Sequence, residues 1–480
     1  MIERYKGLSL PMKATIWITI STFFIKGLGF ITSPVFTRIM PEAEYGMYSV
    51  FQSYINLLLI ITTWELQIGA YQRGIFLYKS EKEKFTTAIQ LLINIITSLA
   101  FLLILVFHKR FNELTGFTIE LQILMFFYYL TWPSYFLWMA DKKKTYKYRA
   151  ITSASIIYTM LTLLAEILSV LLISNTAVIR ISALLITSCL FSIPFWIKNA
   201  RFSQIFENWN KVKEYWKFCL LFGIPLIFNS LSFLVLAQAD RVMITKMVGP
   251  EQTAFYSLAC SIAGVVDVFQ KSINQTLLPW RYQKLDDKNY KSIRKVTMSL
   301  LIFYGGLVLV FLLVIPEGMK LIYPDSYYEA VYSIAPVVAG GFFMFMYSMF
   351  VNVESYYKKT KYILYVSLVC SVTNIALNYF GIKLFGYIAC GYTTLTCYVL
   401  LAVGHYIFMK KTLLEAGIKE PVVNTGLALV LGVVIIIGSI AISLLFSFPM
   451  IRYGIFGLAI MLFLTNKQRI LGMFKLIRGK

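Results

Sequence analysis

The chain has 480 residues, of which 58% are hydrophobic and only 14% charged, and its mean hydropathy is +0.70. Soluble domains carry about 45–50% apolar and about 25% charged residues, so these figures exclude a water-soluble enzyme. The formal charge of +22, from 45 Lys+Arg against 23 Asp+Glu, suits a nucleic-acid partner only if the basic residues share one surface.

A helix needs about 20 apolar residues to cross a bilayer core, and in lipid only a helix or a closed barrel satisfies its own backbone. The apolar runs here are continuous rather than alternating, which rules out a barrel. In chain order they predict about fourteen spanning helices, at 14–37, 47–69, 86–107, 118–140, 150–173, 177–197, 218–239, 253–275, 297–316, 331–353, 362–381, 386–408, 422–446 and 449–465. The last is the weakest, being short and carrying Arg452. Only Ser174-Asn175-Thr176 separates the fifth from the sixth. The opening MIERYKGLSLPMK is polar and basic, and the run after it is too long for the core of a cleavable signal, so it reads as a retained first helix.

Alternate connections carry unequal charge. Those on the N-terminal side of the membrane hold 34 of the 45 basic residues and those on the other side 8; Lys26, Arg180 and Lys271 lie inside runs. The positive-inside rule then places both termini in the cytoplasm of a multi-pass protein, with basic loops against anionic headgroups. No nucleic-acid surface remains. The longest connections, 198–217 and 280–296, hold amphipathic stretches such as IFENWNKVKEYWKF, which read as interfacial helices linking two bundles.

One internal similarity follows the first and seventh runs. Pro41-Glu42 and Tyr48-Ser49 recur as Pro250-Glu251 and Tyr256-Ser257. Six spans separate the copies, so both have the same orientation, the pattern of parallel repeats about an axis along the membrane normal. Catalytic signatures are absent: there is no phosphate-binding loop and no H-E-x-x-H. The six cysteines fall within or at the edge of apolar runs without a C-x-x-C, as small hydrophobes do. The expectation is a protein that is not an enzyme and has no cofactor, metal or disulfide.

Ionisable groups inside spans are costly and face a bundle interior or an aqueous cavity. They are Lys26, Glu65, Glu166, Arg180, Asp267 and Lys271, with Arg38, Asp240, Arg241 and Glu354 at span ends. Lys26 lies near mid-span beside Gly27 and Gly29, which permit close packing or a bend, and is read as lining a cavity. Asp267 and Lys271, four residues apart with the acid first, read either as a self-neutralising pair or as part of a charged lumen. Arg180 either snorkels or faces the cavity. Arg38, Asp240 and Arg241 sit at a rim, in structural or gating roles. A cationic cavity in a low dielectric attracts anions, so the expected substrate is anionic, such as a phosphate ester. Glu65, Glu166 and Asp267 are candidates for ion pairs or for carrying a proton or sodium ion. Aromatic residues such as Phe126-Phe127-Tyr128-Tyr129 and Trp132 are candidates to line a route for sugar rings.

The segment ATIWITISTFFIKGLGFITSPVFTRIMPEAEYGMYSVFQSY, the ADRVMI stretch at 239–244, and Glu354 with Tyr356-Tyr357-Lys358-Lys359-Thr360-Lys361 resemble bacterial polysaccharide exporters, the Wzx-type lipid-linked oligosaccharide flippases of the MOP superfamily, relatives of the MATE transporters. The resemblance implies an all-α polytopic fold of two pseudo-symmetric six-helix lobes, 1–217 and 218–421, with two extra helices and a basic tail in 422–480. It implies alternating access that moves an undecaprenyl-pyrophosphate-linked oligosaccharide repeat unit across the bacterial inner membrane, for O-antigen or capsule assembly. Lys26 and Lys271 would neutralise the pyrophosphate, with Arg38, Arg180 and Arg241 as lesser contributors and Glu65, Glu166, Asp240 and Asp267 as coupling or ion-pair residues. A polysaccharide polymerase and a chain-length regulator are the implied protein partners. A MATE-type drug exporter should instead favour acidic groups in its cavity, a lipid II flippase shares the anionic headgroup, and an O-antigen polymerase or ligase needs a sizeable outer loop that this sequence lacks.

Overall fold

A computed structural model describes residues 10–201 and 208–465. The basic residues Arg4 and Lys6 and the tail 466–480 lie outside the described residues. Those described form sixteen α-helices, a few short 3-10 turns and no strand. Eleven helices are long and apolar enough to cross a membrane, and a pair bent by 93° makes twelve if counted as one span. The chain divides into two compact units, Met1–Val242 and Met243–Lys480.

In the first unit, α1 (Leu10–Ile39) and α2 (Glu42–Thr63) are joined at Pro41. Proline lacks the N–H that the first turn leaves unpaired, and Glu42 and Glu44 favour that positive helix end. Next come α3 (Gly69–Leu77), α4 (Lys82–Val106), α5 (His108–Thr115), α6 (Ile119–Lys144), α7 (Tyr148–Leu172) and α8 (Ala177–Asn199). Aromatic packing of Tyr128, Trp132 and Tyr135 on α6 against Tyr158 of α7 and Phe191 of α8 forms much of the core. Tyr128, Tyr129 and Trp132 are thus buried in packing, while Phe127 is exposed.

The amphipathic segment after residue 208 is not a separate linker helix. It is the start of α9 (Trp209–Met247), which runs on through the seventh predicted span. Its polar face docks: Tyr215 donates to Glu81 at 2.6 Å and Trp216 Nε1 to the Ala88 carbonyl at 2.8 Å, while Tyr215 and Cys219 pack with Phe85.

The second unit holds the end of α9, then α10 (Pro250–Asp286), α11 (Tyr290–Ile322), α12 (Val331–Tyr356), α13 (Thr360–Phe385), α14 (Ala389–Glu415), α15 (Thr425–Leu444) and α16 (Pro449–Thr465). Helix α12 is its centre, packed by α10, α11, α13, α14 and α15. Gly391 lets α14 approach it, since a Cβ there would meet Pro336 Cγ at 2.7 Å. The short last helix is held by the residue that made it look doubtful. Arg452 is fully buried, donates to both Glu317 oxygens at 2.7 Å and to the Leu313 carbonyl at 2.8 Å, and so is satisfied on α11.

Helix starts repeat between the units. Glu42 and Lys82 correspond to Pro250 and Tyr290 at an offset of 208, while Ile119, Tyr148 and Ala177 correspond to Val331, Thr360 and Ala389 at an offset of 212. The turns between helices agree: Tyr146 (φ 51°) and its counterpart Lys358 (φ 58°) both take the left-handed conformation. The short sequence similarity belongs to a repeat that spans five helix starts.

Candidate functional site

Lys26 lies midway along α1, a continuous helix, and its side chain is exposed. Nothing comes within 4 Å of a Cβ added at Gly27 or Gly29, so no neighbour packs closely against these glycines. They leave the backbone beside Lys26 open. Arg38, at the end of the same helix, is exposed and donates to the Pro34 carbonyl at 3.2 Å.

Arg180 has a different setting. Its guanidinium is stacked between the rings of Phe36 and Tyr48, 3.3 and 3.6 Å from their centroids, and its Nε donates to Glu166 at 2.9 Å. Tyr48 also donates to Glu166, at 3.2 Å. Arginine suits such a site because its planar fork stacks and pairs at once. The cluster ties α1, α2, α7 and α8 together. Glu44 adds to it by accepting from the Ala177 N–H at 2.6 Å, at the start of α8. Neither snorkelling nor cavity lining describes Arg180: the charge is buried and neutralised.

Glu65 is not within a helix. Chain pairing breaks after Thr63, and Trp64 and Glu65 both have positive φ, 51° and 48°. Each such residue costs about 1–2 kcal/mol, so the surrounding packing must hold the break. Leu66 and Ala70 supply that packing, with Trp64 against the same cluster. Asp240 is buried; it accepts from the Arg241 N–H at 3.0 Å, and the Arg241 guanidinium lies 3.8 Å away.

In the second unit Lys271 is exposed on α10 and Asp267 is half-buried. Among the described contacts the two form no ion pair. The Asp267 carboxylate instead faces α12, 3.1 Å from where a Cβ on Gly341 would lie. Three further buried polar features lie outside the residues expected to form the site. Glu354 and His405 are both fully buried, and His405 Nδ1 lies 3.0 Å from each carboxylate oxygen. Arg281, expected in a loop, is inside α10 and 1% exposed, donating to the Met349 carbonyl at 2.9 Å and to Thr297 at 3.3 Å. Asn374, Asn378, Thr393 and Thr394 form a buried uncharged network: Asn378 donates to Asn374 at 3.1 Å, Asn374 to Thr394 at 3.4 Å, and Thr393 to Asn378. Only the Asn374/Asn378 spacing of four on an apolar helix hinted at it. No cluster of His, Cys, Asp and Glu among the described residues is suited to a metal ion.

Comparison with known proteins gives concordant results. The sequence profile of the family described as "Polysaccharide biosynthesis protein" matches residues 12–284, and that of MatE matches 225–380. Two proteins of Haemophilus influenzae are similar in sequence. "Lsg locus putative protein 1" is 23% identical over 275 residues, 54% of this chain and 63% of that one. An "Uncharacterized membrane protein" is 26% identical over 157 residues, 32% of this chain and 39% of that one. The matches therefore span less than two thirds of either relative. Among solved structures, lipid II flippase MurJ in an inward closed conformation has a TM-score of 0.62 at 16% identity, covering 92% of this chain and all of that one. An inward-facing multidrug resistance MATE family transporter of the MOP superfamily has a TM-score of 0.63 at 11% identity, covering 84% and 95%. With more than half of its length matched by the first profile, and with a fold shared with the MurJ and MATE structures, the chain belongs to the family described as "Polysaccharide biosynthesis protein".

Proposed function

We propose that the chain is a flippase that moves an undecaprenyl-pyrophosphate-linked oligosaccharide from the cytoplasmic to the outer leaflet of the bacterial inner membrane, for O-antigen or capsule assembly. The observation that carries this reading is the pair of exposed lysines on apolar helices, Lys26 in one unit and Lys271 in the other. Ionisable groups within apolar helices mark substrate routes, and a diphosphate supplies strong acceptors for ammonium groups. Arg38 and Arg241 are rim residues that contact the cargo or its exit. Arg180 acts at one remove, by holding α1 against α7 and α8.

Both termini face the cytoplasm on this reading, because the basic connections do. Alternating access draws on a proton or sodium gradient, for which Glu65, Asp240 and Asp267 are the carriers, while Glu166 stays committed to Arg180. A polymerase and a chain-length regulator receive the product.

The test is leaflet-to-leaflet movement of lipid-linked oligosaccharide in vesicles reconstituted with the full chain. Lys26→Gln and Lys271→Gln should each slow it roughly tenfold or more, the loss of one charge-assisted contact, with expression and melting unchanged. Full transport by both variants would remove the cationic site. Transport of lipid II alone would favour the reading suggested by the MurJ-like fold, and export of small cations instead would favour a MATE-like one.

A further inference from the structure

The first unit contains a second cationic site, away from Lys26. Three separate basic connections converge on one cavity of about 160 Å³ between the ends of α4, α6 and α8. It is lined by Lys82, Lys142, Lys198 and Arg201 against only two carboxylates, Glu83 and Asp141. Those two are already engaged: Lys82 bonds Asp141 at 2.7 Å and Arg201 lies 3.8 Å from Glu83. Asp141 is shared, since Lys142 also lies 3.8 Å from it, so the four basic side chains exceed the two carboxylates by two, and Lys198 has no acidic partner among the described contacts. Asn199 adds a donor, since its side-chain nitrogen is buried at this site with no hydrogen-bond partner. Ammonium groups and an amide N–H around a small cavity match the acceptor oxygens of a phosphate.

The repeat sharpens the argument. At the offset of 212, Lys142 corresponds to Glu354 and Ile193 to His405. In the second unit this position is closed by its own buried Glu354–His405 contact. In the first unit the charge is reversed, and the acid nearest Lys142, Asp141 at 3.8 Å, is shared with Lys82. The neighbouring surface is apolar: Leu190, Ile193 and Ile197 form an exposed stripe along α8 that leads to Lys198. A stripe of that kind suits an acyl chain whose headgroup rests in the cavity.

We propose that this cavity binds the phosphate group of an anionic membrane lipid, with Lys142, Lys198 and Asn199 as its ligands and α8 as the seat of the chain. The ligand chemistry is shared by free phosphate, so the test separates the two. The purified full chain is titrated in detergent with dioleoyl-phosphatidylglycerol, dioleoyl-phosphatidylcholine or inorganic phosphate, and bound lipid is read by native mass spectrometry. The glycerol lipid should be retained over the choline lipid. Lys142→Gln with Lys198→Gln should weaken it roughly tenfold, and Lys142→Arg with Lys198→Arg should restore it at unchanged melting temperature. Where the double Gln variant does not fold, the exposed Lys198→Gln alone carries the measurement. Equal retention of both lipids, retention unaffected by the Gln variants, or displacement by millimolar inorganic phosphate would overturn the proposal. The readout needs no transport, so it stands or falls independently of the flippase assay.

Discussion

At matched positions of the repeat, the two units solve the same packing problem with different chemistry. Glu166 on α7 corresponds to Asn378 on α13. In the first unit the buried group is a carboxylate, stapled by a stacked arginine and a tyrosine hydroxyl. In the second it is an amide, bonded to another amide and to the hydroxyl of Thr393. A common helical frame tolerates either, provided each buried polar group finds its partners. The two differ in how they fail. Removing one member of a buried ion pair strands a charge in low dielectric, whereas removing one member of a neutral network strands a dipole.

That contrast can be broken by measurement. Arg180→Ala should cost about 3–5 kcal/mol, because Glu166 is left buried and charged; thermal unfolding of the detergent-purified chain reads it. Asn378→Ala should cost less, about 1–3 kcal/mol. Equal losses for the two would show that charge is not what separates the units. Gly391→Ala probes close packing in the second unit. Its new methyl meets Pro336 at 2.7 Å, and overpacking of this kind typically costs about 1–3 kcal/mol; a melting temperature at or above the parent's would mean that α14 can back away from α12. Gly27→Ala is the opposite case in the first unit. The added methyl meets nothing, and replacing a mid-helix glycine gains about 0.5–1 kcal/mol. The melting temperature should stay level or rise, and a fall would reveal a neighbour packed on that face.

Much of this architecture was legible in the sequence. Thirteen of the fourteen predicted spans coincide with a helix or part of one, because a continuous apolar run in lipid has few other solutions; the second runs past the end of α2 into the break after Thr63, and among the described residues eleven or twelve helices are long and apolar enough to cross a membrane. The recurrence of Pro-Glu and Tyr-Ser pointed to the repeat. What escaped the sequence is pairing over distance. Glu354 meets His405 across 51 residues and Glu317 meets Arg452 across 135, and no local period encodes such contacts. The break at Trp64 escaped for another reason: neither it nor Glu65 is a glycine or proline, so no turn signal announces the positive φ. Lys26 and Lys271 could be singled out from position alone, because a lysine within an apolar run is conspicuous. Arg281 could not, because a basic residue near a run's end looks like part of a loop.

The matched helix starts carry one more consequence. Six spans lie between the two copies, an even number, so a duplicated segment re-enters the bilayer from the face it started from. Each copy could then inherit its loop charges unaltered, with no need to reverse which loops are basic. Within that shared frame the two halves differ residue by residue, with a buried charge at Glu166 in one and a buried amide at Asn378 in the other.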